Sequence, residues 1–222
     1  MKINLVFIAN NDSISKKDIE FVKKTISGYA RKAAEILPFK IKNFTFTIYA
    51  WKKDGISAFT QANDWVQINI NYNQLAGRNG YNKRLVEQLI YIIYHELHHA
   101  CRGYVGYLPK NKEHILINSI ISEGLADHFA IEQYPSKFIL KNKSYDLKEI
   151  AHWIKKFDKV MWNKESLDDS WLYGGKGKPK MLGYKIGRYI IQKTKEKNPK
   201  LNSVNLIDAS PEKILKLSEI DF

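Results

Sequence analysis

A run of twenty residues without proline or glycine, from Lys83 to Arg102, constrains the fold of this chain more than any other stretch. Its apolar residues recur at the spacing of an amphipathic helix. The pattern predicts one helix that begins near Asn82 and packs its apolar side against a core. That apolar side consists of Leu85, Leu89, Ile92 and Ile93.

The same run contains HELHH at residues 95–99, which has the spacing HExxH. Positions i and i+4 lie on one face of a helix, so His95 and His99 can place two imidazole nitrogens on one metal ion. Glu96 points beside that metal, where it is poorly placed to ligate but well placed to take a proton from a metal-bound water. This pattern is typical of zinc hydrolases. His98 lies about 300° round the helix from His95 and is expected to support or pack rather than to ligate.

A second helical stretch, residues 113–133, ends before Pro135 and supplies the candidate third ligand. Two histidines from one helix leave zinc short of a ligand, and a glutamate from a neighbouring helix completes the set while leaving one position for water. Glu123 is that candidate. Asp127, one turn later, would face the same site and could accept the ring N–H of a ligating histidine, His95 in the first instance. Gly124, which is costly inside a helix, indicates a close approach to another helix.

The first eighty residues predict a small sheet with one helix. Residues 3–9 indicate a strand, Ser13 or Ser15 can cap the helix that Pro38 ends, and residues 41–51 indicate a half-buried strand. Residues 57–71 indicate one or two more strands, with Val66, Ile68 and Ile70 on the packed side. If this polar-faced strand lies at the sheet edge beside the metal, it could bind an extended peptide by strand addition. An ordinary sheet strand is the alternative.

The last third of the chain predicts helices, one capped by Asp146 and one over residues 181–195. Gly183 and Gly187 in the second of these indicate another close contact. Tyr184 and Arg188 share one of its faces, and a tyrosine hydroxyl or a guanidinium near the metal could stabilise the oxyanion of a tetrahedral intermediate. Core packing is the alternative for Tyr184. Tyr173 is the rival oxyanion donor.

Taken together, HELHH, SEGLADHF from Ser122, the sequence WLYG from Trp171 and the sequence GYKIG from Gly183 resemble the bacterial YjaZ-like family of predicted zinc-dependent proteases. The spacing of HExxH and Glu123 is similar to that of the gluzincin metallopeptidases. The resemblance covers residues 85–195 well. It implies His95, His99 and Glu123 as zinc ligands and Glu96 as general base.

Charge and cysteine usage bear on the other classes of function. The formal net charge is +13, which would attract nucleic acid, but the lysines are spread along the chain without a block of like charge. A basic nucleic-acid binder therefore remains the lesser alternative. A non-catalytic module with structural zinc is a further alternative, although Cys101 is the single cysteine and structural zinc mostly uses thiolates. The amino terminus indicates a strand rather than a signal peptide, so a cytoplasmic location without a membrane span is expected.

The sequence as a whole predicts a single α+β domain over residues 1–222, with a small mixed or antiparallel sheet in residues 1–80 packed on a mainly helical part in residues 81–222. The helical part carries the zinc site. The expected activity is zinc-dependent hydrolysis of a peptide or protein substrate. In that reaction Glu96 takes the proton of the zinc-bound water, and Tyr184 or Tyr173 stabilises the oxyanion.

Overall fold

The computed structural model of the chain describes residues 1–8, 14–77, 80–106, 114–142, 145–165 and 168–220. Contacts between residues group the chain into two compact units, residues 1–107 with 130–140 and residues 108–129 with 141–222. The single domain inferred from the sequence stays a prediction. Within the described ranges, none of the helices combines the length and the apolar character that a bilayer-spanning segment needs.

The first unit holds the strands and two long helices. Its elements are β1 (Lys2–Ile8), α1 (Lys16–Ile36), β2 (Asn43–Ala50), β3 (Ile56–Ala62), β4 (Trp65–Ile70), α2 (Tyr72–Leu75), β5 (Ala76–Gly77), β6 (Gly80–Tyr81) and α3 (Lys83–Arg102). Two further helices, α4 (Leu116–Gln133) and α5 (Lys137–Asn142), have residues in both units. The second unit adds α6 (Leu147–Phe157), α7 (Ser170–Tyr173), α8 (Leu182–Lys197) and α9 (Pro211–Ser218).

The main sheet has the strand order β1-β2-β4-β3. Strands β1, β2 and β4 are parallel, and β3 pairs antiparallel to β4 through a tight turn. The predicted α+β class with a mixed sheet is therefore confirmed. The suggestion that the polar-faced strand lies at the edge is wrong, because β4 has β2 on one side and β3 on the other. The edge strand on this side of the sheet is β3.

Alternation along the strands directs one face of the sheet into the core of the first unit. The buried strand residues with no exposed surface are Phe44, Phe46, Val66, Ile68 and Ile70. Helices α1 and α3 pack against strands of this sheet. Ser15 accepts a hydrogen bond from the backbone N–H of Asp18 and so caps α1, as predicted; Ser13, the other candidate, lies outside the described residues.

Helix α3 has the predicted bounds for identifiable reasons. Asn82 is its N-cap, with the side-chain oxygen accepting the N–H of Arg84 at 3.1 Å. Gly103 ends it with φ of 78°, in the left-handed region that glycine adopts without strain. Between Leu89 and Ala100 nearly every residue is buried, so the turn that carries HELHH is enclosed on all sides.

The second unit has its own hydrophobic core, built from α4, α6, α8 and α9 with Trp171 and Leu172 of α7. Two glycines, Gly124 on α4 and Gly187 on α8, bring these helices into backbone contact. A Cβ added to Gly187 would lie 2.1 Å from the carbonyl oxygen of Ile120, and one added to Gly124 would lie 2.4 Å from the carbonyl group of Gly187. The close approach predicted from the sequence is confirmed.

The glycine contact yields a stability prediction. Gly187→Ala should lower the free energy of unfolding by about 1–3 kcal/mol or more, because the new methyl group meets a backbone carbonyl that cannot move alone. Gly28→Ala in α1 is the matched control, since a Cβ there meets nothing within 4 Å. The control should stabilise by roughly 0.5–1 kcal/mol. Urea denaturation of both variants measures the difference, and equal stabilities would contradict the contact.

Candidate metal centre

Helix α3 places two histidine nitrogens face to face. Nε2 of His95 and Nε2 of His99 lie 3.0 Å apart, as one helical turn permits, and the residues are 7% and 3% exposed. Two such nitrogens approach this closely when they share one hydrogen or bind one cation. In a tetrahedral zinc site with Zn–N bonds of 2.0–2.1 Å, two ligand nitrogens lie about 3.3 Å apart, so the pair fits a shared zinc ion.

Glu96 lies beside this pair, and its carboxylate has a partner of its own. The hydroxyl of Thr60 on β3 lies 2.8 Å from Oε2 of Glu96 and 3.0 Å from the carbonyl oxygen of the same residue. Both side chains are buried. Sequence patterns do not predict this contact, because residues 60 and 96 are brought together only by the packing of β3 on α3.

Glu123 supplies a carboxylate oxygen near the two histidines. One ligand atom from each of His95, His99 and Glu123 lies within 4.8 Å of the other two, and all three residues are buried. Among the described residues this is the group of three or more histidine, cysteine, aspartate or glutamate side chains that could hold a metal ion. Two imidazoles and one carboxylate are the donor set of many catalytic zinc sites, which keep a fourth position for water.

The remaining histidines lie outside this group. His98 has no exposed surface, in agreement with a packing or supporting role. His128 places Nε2 3.1 Å from the carbonyl oxygen of Arg188. His114 is half-buried and His152 is exposed.

Asp127 forms a buried ion pair with Arg188. The guanidinium of Arg188 donates from Nη1 to Oδ2 of Asp127 at 2.7 Å, and the two side chains are 7% and 0% exposed. A buried charge pair of this kind holds both partners, since removing one leaves the other charge uncompensated. The sequence pattern makes Arg188 a possible oxyanion donor, and the structure pairs its guanidinium with Asp127. The contact of Asp127 with a histidine ring stays a prediction.

The two candidate tyrosines differ in their surroundings. Partial burial raises the pKa of Tyr173 to about 12, and the negative charges of Glu123, Glu165 and Asp169 act in the same direction. A raised pKa keeps the hydroxyl protonated and able to donate a hydrogen bond at ordinary pH. Tyr173 is also 51% exposed, so a bound molecule can reach it. Tyr184 packs against the hydrophobic core of the second unit.

Polar side chains from before, within and after α7, the short helix that carries Tyr173, form one cluster. Oδ1 of Asp168 accepts from the Ser170 hydroxyl at 2.6 Å, and Nζ of Lys178 lies 3.2 Å from Oδ2 of Asp168 and 2.7 Å from the Ser170 hydroxyl. These bonds hold the pKa of Asp168 well below its usual range, the Ser170 bond being the largest cause. The Asp168 carboxylate is therefore charged at ordinary pH. Its contact with Lys178 links the segment that follows α7 to the residues that precede it.

Comparison with known proteins agrees with this geometry. Residues 55–216 match the family described as "Predicted Zn-dependent protease (DUF2268)". The uncharacterized protein YjaZ of Bacillus subtilis (strain 168) is 33% identical over 106 residues, which are 45% of this chain and 39% of the relative. The match thus spans less than half of the relative's length. No solved structure matches the chain.

The family match extends over most of the chain and includes α3, α4, α7 and α8, the helices that carry His95, Glu123, Tyr173 and Arg188. The resemblance drawn from the sequence motifs is therefore confirmed. The chain belongs to the family of predicted zinc-dependent proteases.

Proposed function

We propose that this protein is a zinc-dependent peptide hydrolase. The observation that carries the proposal is the buried group of two imidazole nitrogens and one carboxylate oxygen within 4.8 Å, with Glu96 next to the first histidine. His95, His99 and Glu123 would hold the ion. When bound, zinc lowers the pKa of its water and polarises a carbonyl group.

The other steps belong to residues of the chain. A carboxylate oxygen of Glu96 takes a proton from the attacking water and then passes it to the nitrogen of the leaving amine. Asp127, held by Arg188, would support zinc binding without acting as a ligand of the ion. We assign the oxyanion donor to Tyr173 in preference to Tyr184, because Tyr173 is exposed to a bound molecule whereas Tyr184 packs against the hydrophobic core of the second unit.

The assignment of Tyr173 is tested by removing its hydroxyl. Tyr173→Phe should lower kcat by about 10²-fold while the bound zinc stays at the wild-type level, because one donor to the developing negative charge is lost. Tyr184→Phe is the matched control and should leave kcat close to that of the wild type. The opposite ranking would transfer the role to Tyr184, and two fully active variants would remove both tyrosines from the reaction.

Strand β3 is the proposed binding edge for an extended peptide. The carbonyl oxygen of Thr60 accepts the N–H of Gly106 at 2.8 Å, and that of Ile56 accepts Nε2 of Gln88 at 2.9 Å, so both point away from β4. Ala58 lies between them and directs its N–H and C=O to the same outer side. A peptide strand could pair there with the enzyme main chain, which binds substrates without close reading of their side chains.

The decisive experiment combines metal analysis with digestion. The purified protein, reconstituted with zinc and dialysed, should contain about one zinc per chain and should cleave an unfolded protein until a chelator is added. Zinc without cleavage would favour the non-catalytic zinc module. A basic nucleic-acid binder would instead show DNA affinity that falls steeply with salt, in a titration run in parallel.

A further inference from the structure

The hydroxyl of Thr60 lies where it can control the orientation of Glu96. Its distance to Oε2 is 2.8 Å, and the two residues are 6% and 7% exposed. A hydroxyl has one hydrogen, so Thr60 can donate fully to either Oε2 or the carbonyl oxygen of Glu96. The carboxylate is the stronger acceptor when it is charged, because charge-assisted hydrogen bonds are about twice as strong as neutral ones.

We infer that Thr60 is a positioning residue for the reaction, holding the Glu96 carboxylate by Oε2 so that Oε1 is left to receive the proton of the attacking water. This inference rests on the proposed peptidase function. A glutamate side chain has three rotatable bonds, and a bond to one oxygen restricts the carboxylate to a narrow set of orientations. Proton transfer requires the accepting oxygen within hydrogen-bond reach of the water, so that restriction favours the reaction.

The position of Thr60 on β3 also places it near the proposed peptide-binding edge. Its side chain contacts Glu96, while its own carbonyl group lies on the outer side of β3, two residues from Ala58. A peptide that pairs with Ala58 would lie two residues from Thr60, whose carbonyl oxygen already accepts the N–H of Gly106. Thr60 would connect the binding of an extended chain to the orientation of the group that activates water.

Three variants test the inference. Thr60→Val keeps the shape of the side chain but removes the donor, and it should lower kcat by about 10- to 100-fold with KM little changed. Thr60→Ser keeps the donor and should recover most of the lost kcat. Thr47→Val is the matched control, because Thr47 is also a buried strand threonine, at 7% exposed, but its hydroxyl accepts from the indole of Trp65. This control should retain wild-type kcat and KM.

Two measurements other than turnover complete the test. Zinc affinity, measured by competition with a chelator, should be equal in wild type, Thr60→Val and Thr60→Ser, since Thr60 acts on the base and not on the ligands. In the metal-free protein, the stability changes caused by Thr60→Val and Glu96→Ala should not add in the double variant, because each substitution removes the same contact between the two side chains. Additive changes would mean that the two side chains do not interact.

The outcomes separate this inference from the proposed function. If the zinc-loaded wild type cleaves peptides and Thr60→Val is equally active, Thr60 has no role in the reaction and the proposed function stands. If Thr60→Val folds poorly, Thr60→Ala and Thr60→Ser are compared instead, and equal kcat for these two overturns the inference. If the zinc-loaded wild type cleaves no peptide, the proposed function fails and takes the role of Thr60 with it.

Discussion

Glu96→Gln should lower kcat for peptide hydrolysis by about 10²- to 10⁴-fold, the usual contribution of a positioned general base. Glutamine is nearly isosteric with glutamate and can still meet the hydroxyl of Thr60 through its amide oxygen, so the buried site keeps its packing. It cannot accept a proton from water at neutral pH. The loss should therefore fall on kcat, with KM changed little.

The measurement needs proof that the site is otherwise intact. Zinc content by elemental analysis and the thermal unfolding midpoint should match those of the wild type. A carboxylate elsewhere on a helix provides the control: Glu149→Gln in α6 removes a half-buried carboxylate that pairs with Lys185 at 3.3 Å, and it should leave kcat unchanged. Wild-type turnover in Glu96→Gln would exclude this residue as the base.

Removal of a proposed ligand should have the other large effect. His95→Ala, His99→Ala and Glu123→Ala should each weaken zinc binding by more than about 100-fold, which exceeds the 10- to 100-fold cost expected when a supporting residue is changed. Asp127→Asn is such a supporting change and should occupy the intermediate position. Competition with a chelator of known affinity measures the series. We expect zinc affinity to decrease in the order wild type, Asp127→Asn, ligand variants.

Stability provides an independent check on the ligand series. A metal that binds only the folded protein raises the unfolding midpoint in proportion to its affinity and concentration. Added zinc should therefore raise the midpoint of the wild type but not that of the ligand variants. His152→Ala, which changes an exposed histidine outside the group, should respond to zinc as the wild type does. Zinc-dependent stabilisation of Glu123→Ala would show that the ion has a different third ligand.

Much of the local structure could be predicted because local rules determine it. Asn82 and Gly103 mark the ends of α3 through their own side-chain and backbone preferences, and Ser15 and Asp146 mark the starts of α1 and α6 in the same way. The HExxH spacing likewise predicts a histidine pair within a single helix. In each case the interacting groups lie within a few residues of each other.

Contacts between distant segments were harder to predict. Strand β3 rather than β4 forms the edge because β4 pairs on both sides, and the order of strands depends on the assembled sheet rather than on the pattern of one strand. Thr60 and Glu96 are 36 residues apart, and Asp127 and Arg188 are 61 apart. Alternation and helical periodicity show which residues face inward, but not which inward-facing residues meet.

The glycine contact between α4 and α8 has a consequence for how this chain can vary. Asp127 follows Gly124 by one helical turn, and Arg188 directly follows Gly187, so the spacing of the two backbones also sets the spacing of the buried ion pair. A larger side chain at either glycine separates the helices and leaves both charges without a close partner. These four positions form one epistatic unit, in which the residues acceptable at one position depend on the other three.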